Sequence, residues 1–260
     1  MKPSAIATVI SLTMLAMNVA SAAAEPVKVG IAAEPYPPFA SLDASGKWVG
    51  WEIEIIGALC DQAKLECVIT PVAWDGIIPS LTTKKIDVIA ASMSITEERR
   101  KSIDFSERYY KTPTRIVGAK ATQMDATPEG LKGKVLGVQV STIHEDYARK
   151  HFAGAVSEIK VYQTQDEAQQ DLAAGRIDAV QAEGIGLDAF LASDTGKTCC
   201  EVKGDVVDDP EILGLGAGLG FRKDNSELRE SFNSAITGIR ENGKYNEISK
   251  RYFSFDIYGK

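Results

Sequence analysis

Apolar positions along the chain follow two alternating rhythms. Short β-rich runs at residues 27–31, 66–70 and 88–90 are separated by stretches whose apolar residues recur at helical spacing, with Ile53, Ile55, Ile56 and Leu59 inside 51–63, then Ile77, Ile78 and Leu81. Strand, amphipathic crossover and strand in succession describe a parallel sheet with helices on its faces. A second series repeats the order, with strands predicted at 135–140, 159–161 and 179–181 and helices at 145–152 and 166–174. Between the two lies an extended run, 115–119, with no helix directly after it, and from 213 to 221 a Gly-rich run leads back. Helical spacing over 227–241 and 245–252 predicts two terminal helices that cap the first half. The pattern predicts an α/β protein of two lobes, each a mostly parallel sheet flanked by helices. Residues 25–113 and 218–260 make the first lobe and 114–217 the second, with hinge strands near 114–119 and 213–217. Ligands of such sheets bind at the strand carboxyl ends, here in the cleft between lobes.

Composition narrows the class. In 260 residues, 44% are hydrophobic and 25% charged, the balance of an ordinary globular chain. Lys and Arg number 29 against 36 Asp and Glu, so a net charge of -7 offers no general attraction to phosphates, and nucleic acid is not an expected partner. The first 24 residues read as an export signal. Lys2 gives the positive start, 5–20 form an apolar run, and Ser21, Ala22, Ala23 and Ala24 supply the small residues of a cleavage site near Ala24. A retained anchor helix is the alternative, but the run falls short of the roughly 20 residues that cross a bilayer. The first cysteine is Cys60, so none stands at the cleavage site to take a lipid, and a freely diffusing periplasmic protein is expected.

Cysteine placement suits an oxidising compartment. With a helix ending near Ala63 and a strand starting near Glu66, Cys60 and Cys67 fall at one turn and within disulfide range, two buried thiols being the alternative. Cys199 and Cys200 are adjacent, and their state stays open. His144 and His151 are the only histidines, so no metal site and no cofactor are expected.

Around the predicted strand ends stand several motifs in register: Glu34-Pro35-Tyr36-Pro37-Pro38-Phe39, Gly50-Trp51-Glu52-Ile53-Glu54, Ala91-Ser92-Met93-Ser94-Ile95-Thr96-Glu97-Glu98-Arg99, Gly175-Arg176-Ile177-Asp178-Ala179 and Phe221-Arg222-Lys223-Asp224. Together with the Cys spacing they resemble the periplasmic amino-acid-binding proteins of ABC importers, which include the lysine/arginine/ornithine and histidine binders, over essentially all of 27–258. The resemblance implies the two-lobe, Venus-flytrap fold of periplasmic binding proteins, a small amino-acid ligand or a derivative such as an opine, a monomer, and an inner-membrane permease as partner.

A zwitterion leaving water needs a cation and N–H donors for its carboxylate, an anion for its ammonium, and a shaped wall for its side chain. The resemblance assigns the first role to Arg99, helped by Ser92 and Ser94 and, from the second lobe, Ser141 and Thr142. Glu183 falls where the family usually has aspartate for the α-ammonium, and its extra methylene shifts where the amine sits. As a structural alternative, Glu183 is an acid favoured at a helix start. Tyr36 and Trp51 resemble the aromatic pair that sandwiches the ligand side chain, although aromatics at helix starts commonly serve a core. In the basic-amino-acid binders an acid three residues before the tyrosine meets the distal cation. That position is Ala33, the acid being Glu34 one residue later, while Ala91 replaces a common serine, so a polar or cationic ligand is expected in a less polar pocket. Two other functions are compatible with the fold: a cyclohexadienyl dehydratase, whose catalytic glutamate would lie a turn further along, where this chain has Gly186, and a detached ligand-sensing domain.

Overall fold

The computed structural model describes residues 25–259, so the expected export signal lies outside the described residues. In chain order the elements are β1 (Val27–Ala32), a small ribbon of β2 (Ser41–Leu42) and β3 (Trp48–Val49), α1 (Trp51–Ala63), β4 (Cys67–Val72), α2 (Ile77–Thr82), β5 (Val88–Ile89), α3 (Glu97–Arg100) and β6 (Asp104–Tyr110). Then follow β7 (Thr114–Ala119), β8 (Val135–Gln139), α4 (Ile143–His151), β9 (Glu158–Tyr162), α5 (Gln165–Ala173), β10 (Ala179–Glu183), α6 (Gly184–Ala192), α7 (Asp194–Cys199), β11 (Cys200–Asp205) and α8 (Pro210–Leu213). The chain closes with β12 (Ala217–Phe221), α9 (Ser226–Glu241) and α10 (Lys244–Ser249).

The strands form two five-stranded sheets in the orders β4-β1-β5-β12-β6 and β11-β7-β10-β8-β9. In each, the βαβ half predicted from the pattern is parallel: β4-β1-β5 in the first and β10-β8-β9 in the second. The remaining pairings are antiparallel, so each sheet is mixed and not mostly parallel. The reason is topological. β7 follows β6 with only residues 111–113 between them, and β12 returns from the other sheet, so neither arrives through a helical crossover on its own sheet, as a parallel pairing requires. β7 is therefore a full member of the second sheet, and the crossings themselves are the short segments 111–113 and 206–216.

Core residues obey the period of two. Val88 packs with α1 and α9 residues on one face of the first sheet, and Ile89 with α2 residues on the other. Ile116 and Val117 divide the faces of the second sheet in the same way. In α1 the buried set Trp51, Ile55, Ile56, Leu59 and Cys60 is one helical stripe. Gly50, at φ 130, sits where an added Cβ would stand 2.3 Å from the Phe39 carbonyl oxygen, so only glycine lets the Tyr36–Ala40 turn lie against the start of α1.

Cys60 and Cys67 form a disulfide between α1 and β4, with Cα atoms 6.2 Å apart, and Cys199 and Cys200 are also paired. Closing the short loop between Cys60 and Cys67 restricts the unfolded chain by about 2.5 kcal/mol. Cys60→Ser should therefore lower the urea-unfolding free energy by about 2 kcal/mol while ligand binding persists. Among the described residues no helix is long and apolar enough to cross a membrane, and no group of three or more His, Cys, Asp or Glu side chains is placed to hold a metal ion.

Candidate functional site

A cavity of about 410 Å³ lies between the two sheets, lined from both, within the usual range for a small-ligand site. Glu34, Tyr36, Ala91, Ser92, Ser94, Arg99, Thr142 and Glu183 all line it.

Arg99 reaches the cavity because β5 ends centrally in the first sheet and the following loop turns into α3, whose start Thr96 fixes by accepting the Arg99 N–H on Oγ1 at 3.2 Å. The guanidinium donates to the carbonyl of Ser94 at 3.0 Å and, across the cleft, to that of Ser141 at 3.3 Å. Its carbon lies 5.5 Å from the Trp74 ring centre. Among the described residues no carboxylate forms an ion pair with it. Burial lowers its pKa to about 10, so it keeps its charge at neutral pH. A half-buried cation that hydrogen-bonds only neutral carbonyls, with the charge of Asp146 acting on it but not ion-paired to it, is arranged to receive an anion.

Opposite it is the start of α4. Thr142 caps this helix by accepting the Glu145 N–H at 3.2 Å, and its own hydroxyl donates to the Gln139 carbonyl at 2.7 Å. With that proton committed, what this lobe offers an anion is the first N–H groups of a nine-residue helix, which have no intrahelical acceptor. Ser141 is exposed and outside the cavity lining, contributing its carbonyl to Arg99 and holding a left-handed backbone at φ 58.

Glu183 ends β10. Because β10 runs antiparallel to β7, with Glu183 opposite Thr114, its side chain comes to the crossing segment. One carboxylate oxygen accepts the Tyr36 hydroxyl at 2.6 Å and the other accepts the Thr112 hydroxyl. Glu183 is the N-cap residue of α6, where the helix dipole favours an acid, but its side chain makes no cap hydrogen bond to that helix and turns its oxygens to Tyr36 and Thr112 instead. Burial pushes its pKa up to about 7, and the two hydroxyl donors work in the opposite direction. His144, also on the wall, contacts the Thr114 hydroxyl through Nδ1 at 3.4 Å, and burial, helped by the Arg99 charge, lowers its pKa to about 3, leaving a neutral ring.

The aromatic wall differs from the expectation in one member. Tyr36 lines the cavity and stacks on Phe39 at 5.3 Å between ring centres. Trp51 does not: it is fully buried in the first core, 6.0 Å from Tyr109 in a stacked pair, and its indole N–H donates to Ser249 Oγ at 3.0 Å. The apolar stripe of α1 points Trp51 inward, away from the cleft. The tryptophan at the site is Trp74, two residues beyond β4, whose indole donates across the cleft to the Val140 carbonyl at 3.1 Å. Its position just past a strand paired in parallel with β1 is the signal that identifies it. Its backbone N–H meets the Glu34 carboxylate at 3.2 Å and 3.3 Å, so Glu34 lines the cavity while holding the wall in place.

Residues 27–255 match the family described as bacterial extracellular solute-binding proteins, family 3. The L-arginine-binding protein of Pseudomonas aeruginosa is 41% identical over 260 residues, all of this chain and 99% of that protein. The histidine-binding periplasmic protein of Escherichia coli K12 is 40% identical over 256 residues, covering 96% of this chain and 98% of the relative. Among solved structures, an ancestral arginine-binding protein bound to arginine superposes with a TM-score of 0.80 at 34% identity, covering 88% of this chain and 98% of that one. Sequence, sheet order and the cleft between the sheets thus agree, and the chain belongs to the bacterial extracellular solute-binding proteins, family 3.

Proposed function

We propose that this protein is a periplasmic carrier that captures one polar or cationic amino acid, or a close derivative, by closing two lobes around it, and delivers it to an ABC permease. The observation that carries the reading is the pair of charges on one cavity. Arg99 comes from the first lobe and, among the described residues, has no ion-pair partner, and Glu183 comes from the second. They suit the two ends of an α-amino acid: carboxylate to Arg99 and the N-terminus of α4, ammonium to Glu183, side chain between Tyr36 and Trp74. The lobes are 25–113 with 218–260, and 114–217, moving about the crossings. Hydrogen bonds already span the cleft, among them Tyr36 to Glu183, Trp74 to Val140 and Arg99 to Ser141. A ligand that adds contacts to both lobes therefore favours the closed form, which is the form a permease distinguishes. The chain is exported, cleaved near Ala24 and monomeric.

Isothermal titration with a panel of amino acids and opines tests this. Binding of at least one tighter than about 10 μM, roughly -7 kcal/mol, is expected. No binding at millimolar concentration across the panel would overturn it.

One observation favours a second reading. A buried carboxyl with pKa about 7, as at Glu183, suits a general acid and so a dehydratase on this fold. Against it, the place of the dehydratase glutamate is Gly186, where even a Cβ would stand 2.7 Å from the Tyr36 ring. Incubation with prephenate or arogenate should give no rise in aromatic absorbance.

A further inference from the structure

Glu52 lines the cavity but belongs to neither end of the α-amino-acid clamp. It is the second residue of α1, 2% exposed, and among the described residues no cation pairs with it. One carboxylate oxygen accepts the Ser92 N–H at 2.8 Å and the Tyr109 hydroxyl, while the other accepts the Ser92 hydroxyl at 3.2 Å. Burial raises the pKa of this carboxyl, and the bonds from Tyr109 and Ser92 work in the opposite direction by favouring the carboxylate. Ser92, gripped at both backbone and side chain, is held at φ 53, a left-handed conformation unusual for serine. Its hydroxyl lies 3.2 Å from Glu52, so Ser92, on the cavity wall, stands between the cavity and the buried acid.

The charges on the cavity wall are unequal. Lys111 and Asp208 face each other at 3.8 Å. If Arg99 and Glu183 take the carboxylate and ammonium of the ligand, Glu34 and Glu52 remain as acidic side chains on a wall with no further Lys or Arg. Glu34 receives the Trp74 N–H, which leaves Glu52 as the buried acid that, among the described residues, has no ion-pair partner. Burial makes the ionised form of Glu52 costly, and a cation brought within reach on the cavity side relieves that cost.

We infer that Glu52, acting through Ser92, is the positioning residue that makes this site select a positively charged, hydrogen-bond-donating ligand side chain, taking the place of the acid missing at Ala33. The inference rests on the amino-acid-carrier reading above.

Arginine and citrulline form the matched pair that tests it, being nearly isosteric but differing in side-chain charge. Titration of the wild-type protein should show arginine bound at least 10-fold tighter than citrulline, and Glu52→Gln should shrink that ratio by about 10-fold or more, mostly by weakening arginine. Ser92→Ala, which keeps the backbone N–H bond to Glu52, should shrink it by a smaller factor, and it decides the matter should Glu52→Gln not fold. An equal loss for both ligands would mark Glu52 as structural only and overturn the inference, as would an unchanged ratio. Wild-type protein that binds both amino acids equally would overturn it while leaving the carrier reading intact, whereas wild-type protein that binds no amino acid would remove both.

Discussion

Arg99→Ala is expected to weaken capture of the amino acid by at least 30-fold while leaving the fold intact. The guanidinium supplies no ion pair to the protein itself; its bonds go to the carbonyls of Ser94 and Ser141. Removing it therefore breaks little of the architecture but takes from the ligand carboxylate the one cation of the wall that, among the described residues, has no ion-pair partner, leaving the N–H groups of α4 to hold it. Truncating one partner of a buried, hydrogen-bonded charge pair costs about 2–5 kcal/mol, a loss of roughly 30-fold to several thousand-fold in affinity. Calorimetry on the folded variant, checked by circular dichroism, measures it. Arg99→Lys should recover only part of the loss, because an ammonium cannot reach the Ser94 carbonyl, the Ser141 carbonyl and a carboxylate from one planar fork. Affinity unchanged by Arg99→Ala would mean that the carboxylate binds elsewhere.

The second large effect is on pH dependence. The Glu183 carboxyl has a pKa of about 7, raised by burial, with the charges of Glu52 and Asp188 adding to the effect. An ammonium ligand requires the carboxylate form. Below pH 7 the site must first lose a proton, so affinity should fall by up to tenfold per pH unit and be about 100-fold weaker at pH 5 than at pH 8. His144 does not contribute in this window, since its pKa of about 3 keeps it neutral throughout. Glu183→Gln should flatten the profile and weaken binding at every pH. The same substitution should stabilise the ligand-free protein at pH 7. A folded-state pKa above the ordinary 4.5 means that the folded form binds the proton more tightly. Stability is therefore greatest below about pH 4.5 and declines as pH rises through 7, and a neutral amide escapes that decline. Thermal unfolding of both proteins across pH 5 to 8 checks the sign.

The sequence made some of this legible for definite physical reasons. Arg99 could be placed because it stands at the family motif's position after Ser94, and the structure supplies the physical reason, a turn capped by Thr96 that brings it to the cavity. Cys60 and Cys67 followed from a helix end meeting a strand start. Tyr36 and Glu183 both lie next to strand ends, where side chains of an α/β sheet converge. Trp51 misled because an aromatic at a helix start looks the same whether its stripe faces a cleft or a core, and the alignment of Trp51 with Ile55 and Leu59 was the cue for burial. Trp74 sits in a short turn with no periodic pattern to mark it. The antiparallel half of each sheet was hidden because β6 and β12 are joined to the other sheet and not to neighbours in their own. Least legible was Glu52, an acid in the first turn of a helix that reads as solvated or dipole-stabilised and is instead buried beneath Ser92.

The account stands on a carboxylate held by Arg99 and an ammonium held by Glu183 within one cavity. The most direct measurement compares, by isothermal titration at pH 8, the tightest-binding amino acid with the amine left when its α-carboxylate is removed. The amine should bind at least 100-fold more weakly, since it keeps the ammonium and side chain but gives Arg99 nothing to hold. An amine that binds within a factor of ten of its parent amino acid would contradict the account.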